Sequence, residues 1–508
     1  MASENGFARA ARWLTDELGL ATMRSAGKDV YIIILARYVR LFAYGAVALI
    51  LALYFQQLGF SDEQIGLFMT LTLLGDVFIS LLLTLVADAI GRRTILLFGA
   101  IAMATSGAIF ATTSNYVALL MASIIGVISP SGNEIGPFRA VEESTLAHLV
   151  PEAQRSDVYT WYVVLAVAGT STGLVVGGQT VDHLCAKDGW TDLDAYRAVF
   201  WIYTAVGCIK AIMTLFLSRH CEHADHKSNQ PKPSDETEPL LNGDGTSNGR
   251  ESDSPPVPTP SAKRPKKMWY SITTISKPSR VILFKLCSLF FFDSLGSGMV
   301  PFSLINYYMD RKFALPKGKL GGIMSATWFV STIGNVFASS LARRLGLIQA
   351  MVATHLPSSV FLALVPMPDG LPWTISLLVG RSVLNSMDQA PRSAFLSLIV
   401  LPEERTAVMG IVNILKTLAQ SSGPTLTGIL AGHEHFWVAF IVAGSLKAVY
   451  DLMLLAFFGG KVHSRKHDSE GERNEQASDT ASDIAEDTEQ GDVSSSEPAD
   501  SAASRIQH

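Results

Sequence analysis

The chain of 508 residues is 48% hydrophobic and only 17% charged, with a formal net charge of -5 at pH 7 and a mean hydropathy of +0.29. Soluble chains of this length divide into about two or three domains, but here the apolar residues gather into long runs almost free of charge, each near the ~20 residues that span a ~30 Å hydrocarbon core. A soluble globular enzyme is excluded, and so small a net charge gives no reason to expect a nucleic-acid partner.

The first segment, 1–29, carries charges throughout and has no apolar core ahead of a cleavage site, so no signal peptide is expected. Apolar spans then follow near 30–56, 65–87, 94–113, 116–146, 158–181, 197–217, 281–308, 319–341, 347–366, 372–398, 408–431 and 435–459. The expected class is an all-α membrane protein with twelve transmembrane helices. Cys185, Cys208, Cys221 and Cys287 lack metal-ligand spacing and mostly fall in or beside apolar runs, as packing residues do. Neither a metal nor a cofactor is expected.

Sidedness follows from where Lys and Arg collect in short loops. Arg92 and Arg93, Arg155, Arg343 and Arg344, and Arg405 fall in alternate loops, and the polar segment 218–280 on the same side holds ten Lys or Arg. Loop 57–64 on the other side has Asp62 and Glu63 without a base. One loop on that side dissents, with Arg311, Lys312, Lys317 and Lys319. Both termini are expected in the cytoplasm.

The polar segments read as unstructured linkers. Segment 218–280 mixes Pro, Ser, Gly and charge. It ends in Lys263, Arg264, Lys266 and Lys267 ahead of Trp269 and Tyr270, a pattern that holds onto anionic headgroups or simply flanks a span on its inner side. From Glu470 to His508 the tail has eleven acids and two bases. Glu236 to Leu241 has the form of an acidic dileucine sorting signal. The plasma membrane is the expected location, with a vacuolar or lysosomal membrane as the alternative.

The two sides of the linker repeat one another. Gly75-Asp76-Val77-Phe78 in span two answers Gly334-Asn335-Val336-Phe337 in span eight. Span six runs FWIYTAVGCIKA to Lys210 and Ala211, and span twelve runs FWVAFIVAGSLKA to Lys447 and Ala448. Gly126, Glu134 and Pro137 stand at one constant offset from Gly380, Asp388 and Pro391. The expected organisation is a cytoplasmic segment 1–29, a six-helix half 30–217, the linker 218–280, a second six-helix half 281–460 and the acidic tail 461–508.

With these repeats in place, the chain resembles a major facilitator superfamily transporter over about residues 30–460. That family's motif, G-x-x-x-D-[RK]-x-G-[RK]-[RK], is similar to Thr84 through Arg93, where Asp88, Gly91, Arg92 and Arg93 match while Thr84 and Ala89 depart. Arg343 to Gly346 keeps a remnant after span eight. Span five, with Gly169, Gly173, Gly177 and Gly178, resembles the family's glycine-rich fifth span. The resemblance implies an alternating-access carrier in which Asp88, Gly91, Arg92 and Arg93 form a cytoplasmic gate that latches the two halves. Plain positive-inside anchoring by Arg92 and Arg93 is the simpler alternative.

Charged residues inside spans are functional candidates, because each costs at least ~2.5–3.5 kcal/mol to insert. Counting ~1.5 Å per residue puts Asp76, Asp293 and Arg381 near the midplane and Arg40, Lys210 and Lys447 within about a turn of it. Glu134, Asp388, Lys416 and Asp451 lie deeper toward the cytoplasm. Arg139, Glu142, Glu143 and Arg392 read as salt bridges of an inner gate. A carboxylate in a low-dielectric cavity can exchange a proton near neutral pH, so Asp76 and Asp293 are the expected coupling residues. Arg40 and Arg381 are their candidate partners or the holders of an anionic substrate. Asn133 and Glu134 lie among Pro130, Gly132, Gly136 and Pro137, which break or kink a helix. Together with Arg40, Arg381 and Asp388 they complete the expected substrate cavity.

The function expected is proton-coupled secondary transport of a small solute, with organic anions or zwitterions slightly favoured and sugars or lipophilic drugs as alternatives. No phosphate-binding G-x-x-x-x-G-K-[ST] loop is present to bind nucleotide. A monomer whose partners are its small-molecule substrate, protons and membrane lipids is expected, and enzymatic activity is not. The rivals are an uncoupled facilitator and a transport-incompetent sensor that signals through its linker and tail.

Overall fold

The structure, a computed structural model, describes residues 20–126, 137–151, 154–218, 277–388 and 404–459, with residues 128 and 221 and a few between 391 and 400. The expected linker, acidic tail and dileucine signal therefore lie outside the described residues, wholly or nearly so. The side chains of 84–89 also lie outside them.

Helices α1 to α8 are Leu20–Ser25, Lys28–Gln57, Asp62–Ile90, Arg92–Thr112, Tyr116–Gly126, Pro137–Leu149, Arg155–Cys185 and Asp192–Leu215. Helices α9 to α15 are Lys277–Met299, Phe302–Phe313, Lys317–Leu345, Leu347–Leu364, Leu371–Met387, Arg405–Gly432 and Phe436–Phe458. Eight of these, α2, α3, α4, α7, α8, α9, α12 and α15, are long and apolar enough to cross a membrane. Helices α11, α13 and α14 are more polar or shorter, and for a physical reason: they carry much of the wall of an internal cavity described below.

Local sequence explains where helices begin and turn. The Thr191 hydroxyl accepts from the Asp194 amide while the Asp194 carboxylate accepts from Thr191, a reciprocal cap that starts α8. Thr191→Ala is expected to cost about 1 kcal/mol, read as a lower midpoint of thermal unfolding. Between α3 and α4 the chain turns on Gly91, with φ of 96°, and between α11 and α12 on Gly346, with φ of 90°. Side chains with a Cβ rarely adopt that conformation, so the motif glycine and its remnant make the same turn in each half.

Packing repeats as well. Helix α2 packs on α7 as α9 packs on α14, and α4 on α8 as α12 on α15. In bilayer interiors small residues let backbones approach. A Cβ on Gly45 would stand 2.3 Å from the Thr170 carbonyl oxygen, and one on Gly298 would stand 2.0 Å from that of Gln420. The same glycine-on-carbonyl contact thus joins the first and fifth spans of each half.

The halves meet along α7 with α11 and α3 with α14. Hydrogen bonds between them, among the described residues, gather at the end of the bundle that carries the α2–α3 loop. There Asp62 accepts from the Tyr307 hydroxyl at 2.7 Å and from Arg311 at 2.8 Å. Asp182 accepts from the backbone amides of Lys317 and Gly318 at 2.7 and 2.8 Å. The Asn306 amide donates to the Ala48 carbonyl at 3.0 Å, and the Thr425 hydroxyl is 2.7 Å from that of Thr70. This end is sealed.

Candidate functional site

Each half buries a charge cluster. In the first, Glu142 on α6 accepts from Arg40 of α2 at 2.8 Å and from the Tyr162 hydroxyl of α7 at 2.9 Å. Lys210 of α8 lies 3.6 Å from its other oxygen. One turn before Arg40, Arg37 stacks its guanidinium 3.8 Å from the centre of the Tyr162 ring. Four spans therefore converge on one buried carboxylate.

The second cluster has the same plan with signs exchanged between two spans. Asp293 on α9 pairs with Arg392 at 2.6 Å and with Lys447 of α15 at 2.9 Å. Arg392 also pairs with Asp388 at 2.5 Å. His355 of α12 places Nε2 3.6 Å from Asp293 and Nδ1 2.9 Å from Asp451. Nδ1 is placed to donate to the Asp451 carboxylate. The first span supplies a base, Arg40, in one half and an acid, Asp293, in the other. Lys210 and Lys447, matched by the sequence repeat, attend the acid each time.

Between the halves, on the α3–α4 side of the seal, lies a cavity of about 640 Å³. Among the described residues its charged wall consists of Arg37, Arg139, Arg392, Lys416 and Lys447 against the carboxylate of Asp293, with His355 beside it. A second chamber of about 350 Å³ continues toward the sealed end, sharing Trp328, Asn385, Gln420 and Lys447 with the first and adding Arg381.

Several expected residues arrive here and others do not. Asp293 and Arg381 are on the wall. Asp388 is buried behind Arg392 rather than exposed to the cavity. Arg40 pairs with Glu142, not with either expected aspartate, and Asp293 takes Arg392 and Lys447 in place of Arg381. Asp76 is 2% exposed, is not among the cavity-lining residues, and neither of its oxygens has a hydrogen-bond partner among the described residues. Asn133 and Glu134 lie outside the described residues, as does the side chain of Asp88.

The gate residues bond within their own half. Arg92 donates to the Ser144 carbonyl at 3.4 Å and Arg93 to that of Leu215 at 2.6 Å, in the closing turns of α6 and α8, where helix dipoles favour a cation. The inner-gate reading of Glu142 and Arg392 needs correction. Arg139 and Glu143 do pair with each other at 2.7 Å on an exposed face, but Glu142 and Arg392 belong to the buried clusters. Neighbours on a helix differ by about 100° in direction, so equal depth did not imply an equal environment. Phe290, Phe291 and Phe292 are not among the residues that line the cavity, where Trp328 stands instead.

Sequence reasoning missed His355, Arg37 and Tyr162. His355 lies mid-span four residues before Ser359, and a histidine within an apolar run was the available signal.

The chain matches the Major Facilitator Superfamily twice, over residues 33–292 and 286–497. It belongs to that superfamily. A relative in Saccharomyces cerevisiae, the uncharacterized membrane protein YJR124C, is 34% identical over 449 residues, which span 86% of this chain and 95% of that protein. Among solved superfamily structures, the nucleoside transporter NupG superposes with a TM-score of 0.61 at 15% identity, covering 86% of this chain and 100% of that one. A D-xylose-proton symporter gives 0.60 at 12% identity, covering 85% and 98%. At these identities the likeness is one of fold, not of cargo. As a superfamily member the chain is a multi-pass integral membrane protein with a transporter fold.

Proposed function

We propose that the protein is a secondary transporter that moves a small solute by alternating access and draws on protons for energy. One observation carries this reading: a large charged cavity lies between two halves whose mutual hydrogen bonds, among the described residues, all gather at one end. With the α3–α4 end in the cytoplasm, as its loop arginines suggest, the cavity belongs to an inward-facing state.

Proton coupling rests on Asp76 and Asp293. An ionised carboxylate buried without partners costs several kcal/mol, and Asp76 has no hydrogen-bond partner among the described residues, so as a carrier it would exchange its proton when its surroundings open. Asp293 is held by two cations, and proton exchange there waits for those pairs to part. The test is solute uptake into liposomes that hold the purified protein and a trapped pH dye, run with pooled anions, amino acids, sugars and drugs. Solute-dependent proton movement is expected, abolished in Asp76→Asn or Asp293→Asn. Uptake without proton movement, unchanged in both variants, would make the protein a facilitator.

A further inference from the structure

We infer that the cavity binds an amphipathic organic anion: an apolar or aromatic body seated in the inner chamber against Trp328, with carboxylate groups held by Arg381 and Lys416. The inference deepens the transport reading above and rests on it for biological meaning, although binding itself can be tested apart from transport.

The bases of the spans divide into two kinds. Arg40, Lys210, Arg392 and Lys447 each have a carboxylate partner within salt-bridge distance or close to it. Arg381 and Lys416 have none among the described residues. Both border the cavity, Arg381 in the inner chamber and Lys416 at the wider mouth. The Lys416 ammonium lies over the Phe290 ring, 5.0 Å from its centre. A cation in a membrane span without a counter-ion is costly to keep, and an anion entering the cavity would offset that cost at both positions. A guanidinium at one of them also matches a carboxylate with two parallel hydrogen bonds.

The shape of the inner chamber supplies the rest of the ligand. Val300, Phe302, Met324 and Leu378 form an apolar part of its wall, with the indole of Trp328 between the two chambers, and Thr327, Thr332, Ser382 and Asn385 belong to its polar part. Its volume of about 350 Å³ is ample for an aromatic ring, since a cavity of ~150 Å³ takes up benzene. Among the described residues an organic cation would find Asp293 on the wall, whose oxygens Arg392 and Lys447 already occupy.

Four probes separate these demands: phenylsuccinate, phenylacetate, the neutral phenylacetamide, and succinate, which has no apolar body. Calorimetric titration of the full chain in detergent is expected to show both aromatic acids binding roughly tenfold or more tightly than phenylacetamide or succinate. Arg381→Gln and Lys416→Gln are each expected to weaken phenylsuccinate by roughly tenfold or more. Trp328→Ala should weaken phenylacetate and leave succinate unchanged. The melting temperature of each unliganded variant, expected to stay near that of the parent for the two charge substitutions, shows whether the fold survives. Equal binding of acid and amide, full affinity in both charge variants, or no binding of any probe up to about 10 mM would overturn the inference. Aromatic-acid binding without uptake into liposomes would retain it and count against the transport reading. Uptake of a neutral solute with no anion binding would do the reverse.

Discussion

Glu142→Gln is expected to be the most destabilising single charge removal in the chain. Its carboxylate is the acid that Arg40 and Lys210 share, and the side chain is only 2% exposed. Removing one member of a buried ion pair costs about 3–5 kcal/mol, because the remaining charge stays desolvated. Here two bases lose their counter-charge, and the Lys210 side chain is as buried as the acid. Thermal unfolding in detergent should fall by about 10 °C. Adding Lys210→Met to Glu142→Gln should recover much of that loss by removing one uncompensated charge while keeping the packed volume. The second cluster provides the control. Asp293→Asn leaves Asp388 on Arg392 at 2.5 Å, so its unfolding temperature should fall less. Glu142→Gln melting with the parent, or Asp293→Asn melting below it, would refute this account of the clusters.

The second large effect is conformational. Gly66→Val should drive the protein out of the state in which the α2–α3 end is sealed. A Cβ at Gly66 would lie 2.4 Å from the Pro424 carbonyl oxygen and 2.9 Å from the Cα of Gly428. Both neighbours are backbone of α14, so no side chain can swing aside. Gly428 faces the same constraint in return, with Asp62 O at 2.6 Å from its own Cβ position. Overpacking of this kind costs about 1–3 kcal/mol, but only in the conformation that brings α3 and α14 together. A penalty on one of two states shifts their ratio by roughly 5- to 150-fold. Spin labels at Gln57→Cys and His433→Cys, with the four native cysteines replaced, should move several ångströms apart, and transport should fall because the cycle can no longer close at this end. An unchanged label distance together with intact uptake would show that the contact does not gate the protein.

The fold was legible because its signals are local. Apolar runs long enough for a bilayer are read residue by residue, and Gly91 and Gly346 announce their turns through the one residue type that accepts a positive φ. The repeat was legible too: Lys210 and Lys447, matched by the sequences around them, occupy equivalent places in the two clusters. The cavity was legible only in part. Depth along a helix can be counted, and it brought Asp293 and Arg381 close to where they stand. Direction around the helix axis cannot be counted without knowing where the neighbours lie, and on that axis Asp76, Glu142 and Arg392 were misplaced. Partners were the least legible feature of all. Arg40 finds Glu142 across 102 residues and Lys447 finds Asp293 across 154, pairings set by how spans cross rather than by spacing.

By itself, then, the sequence determined that this is a helical membrane protein of two related halves in the major facilitator superfamily, since hydrophobic length, helix-breaking residues and repeats are properties of contiguous segments. Tertiary structure alone decided that Asp293 is held by Arg392 and Lys447, that His355 joins them, that Asp76 stands apart from the cavity wall, and that Arg381 and Lys416 border the cavity with no carboxylate in salt-bridge distance among the described residues. Electrostatic energy depends on separation in space, and in a bundle of antiparallel helices the charges that meet come from different spans.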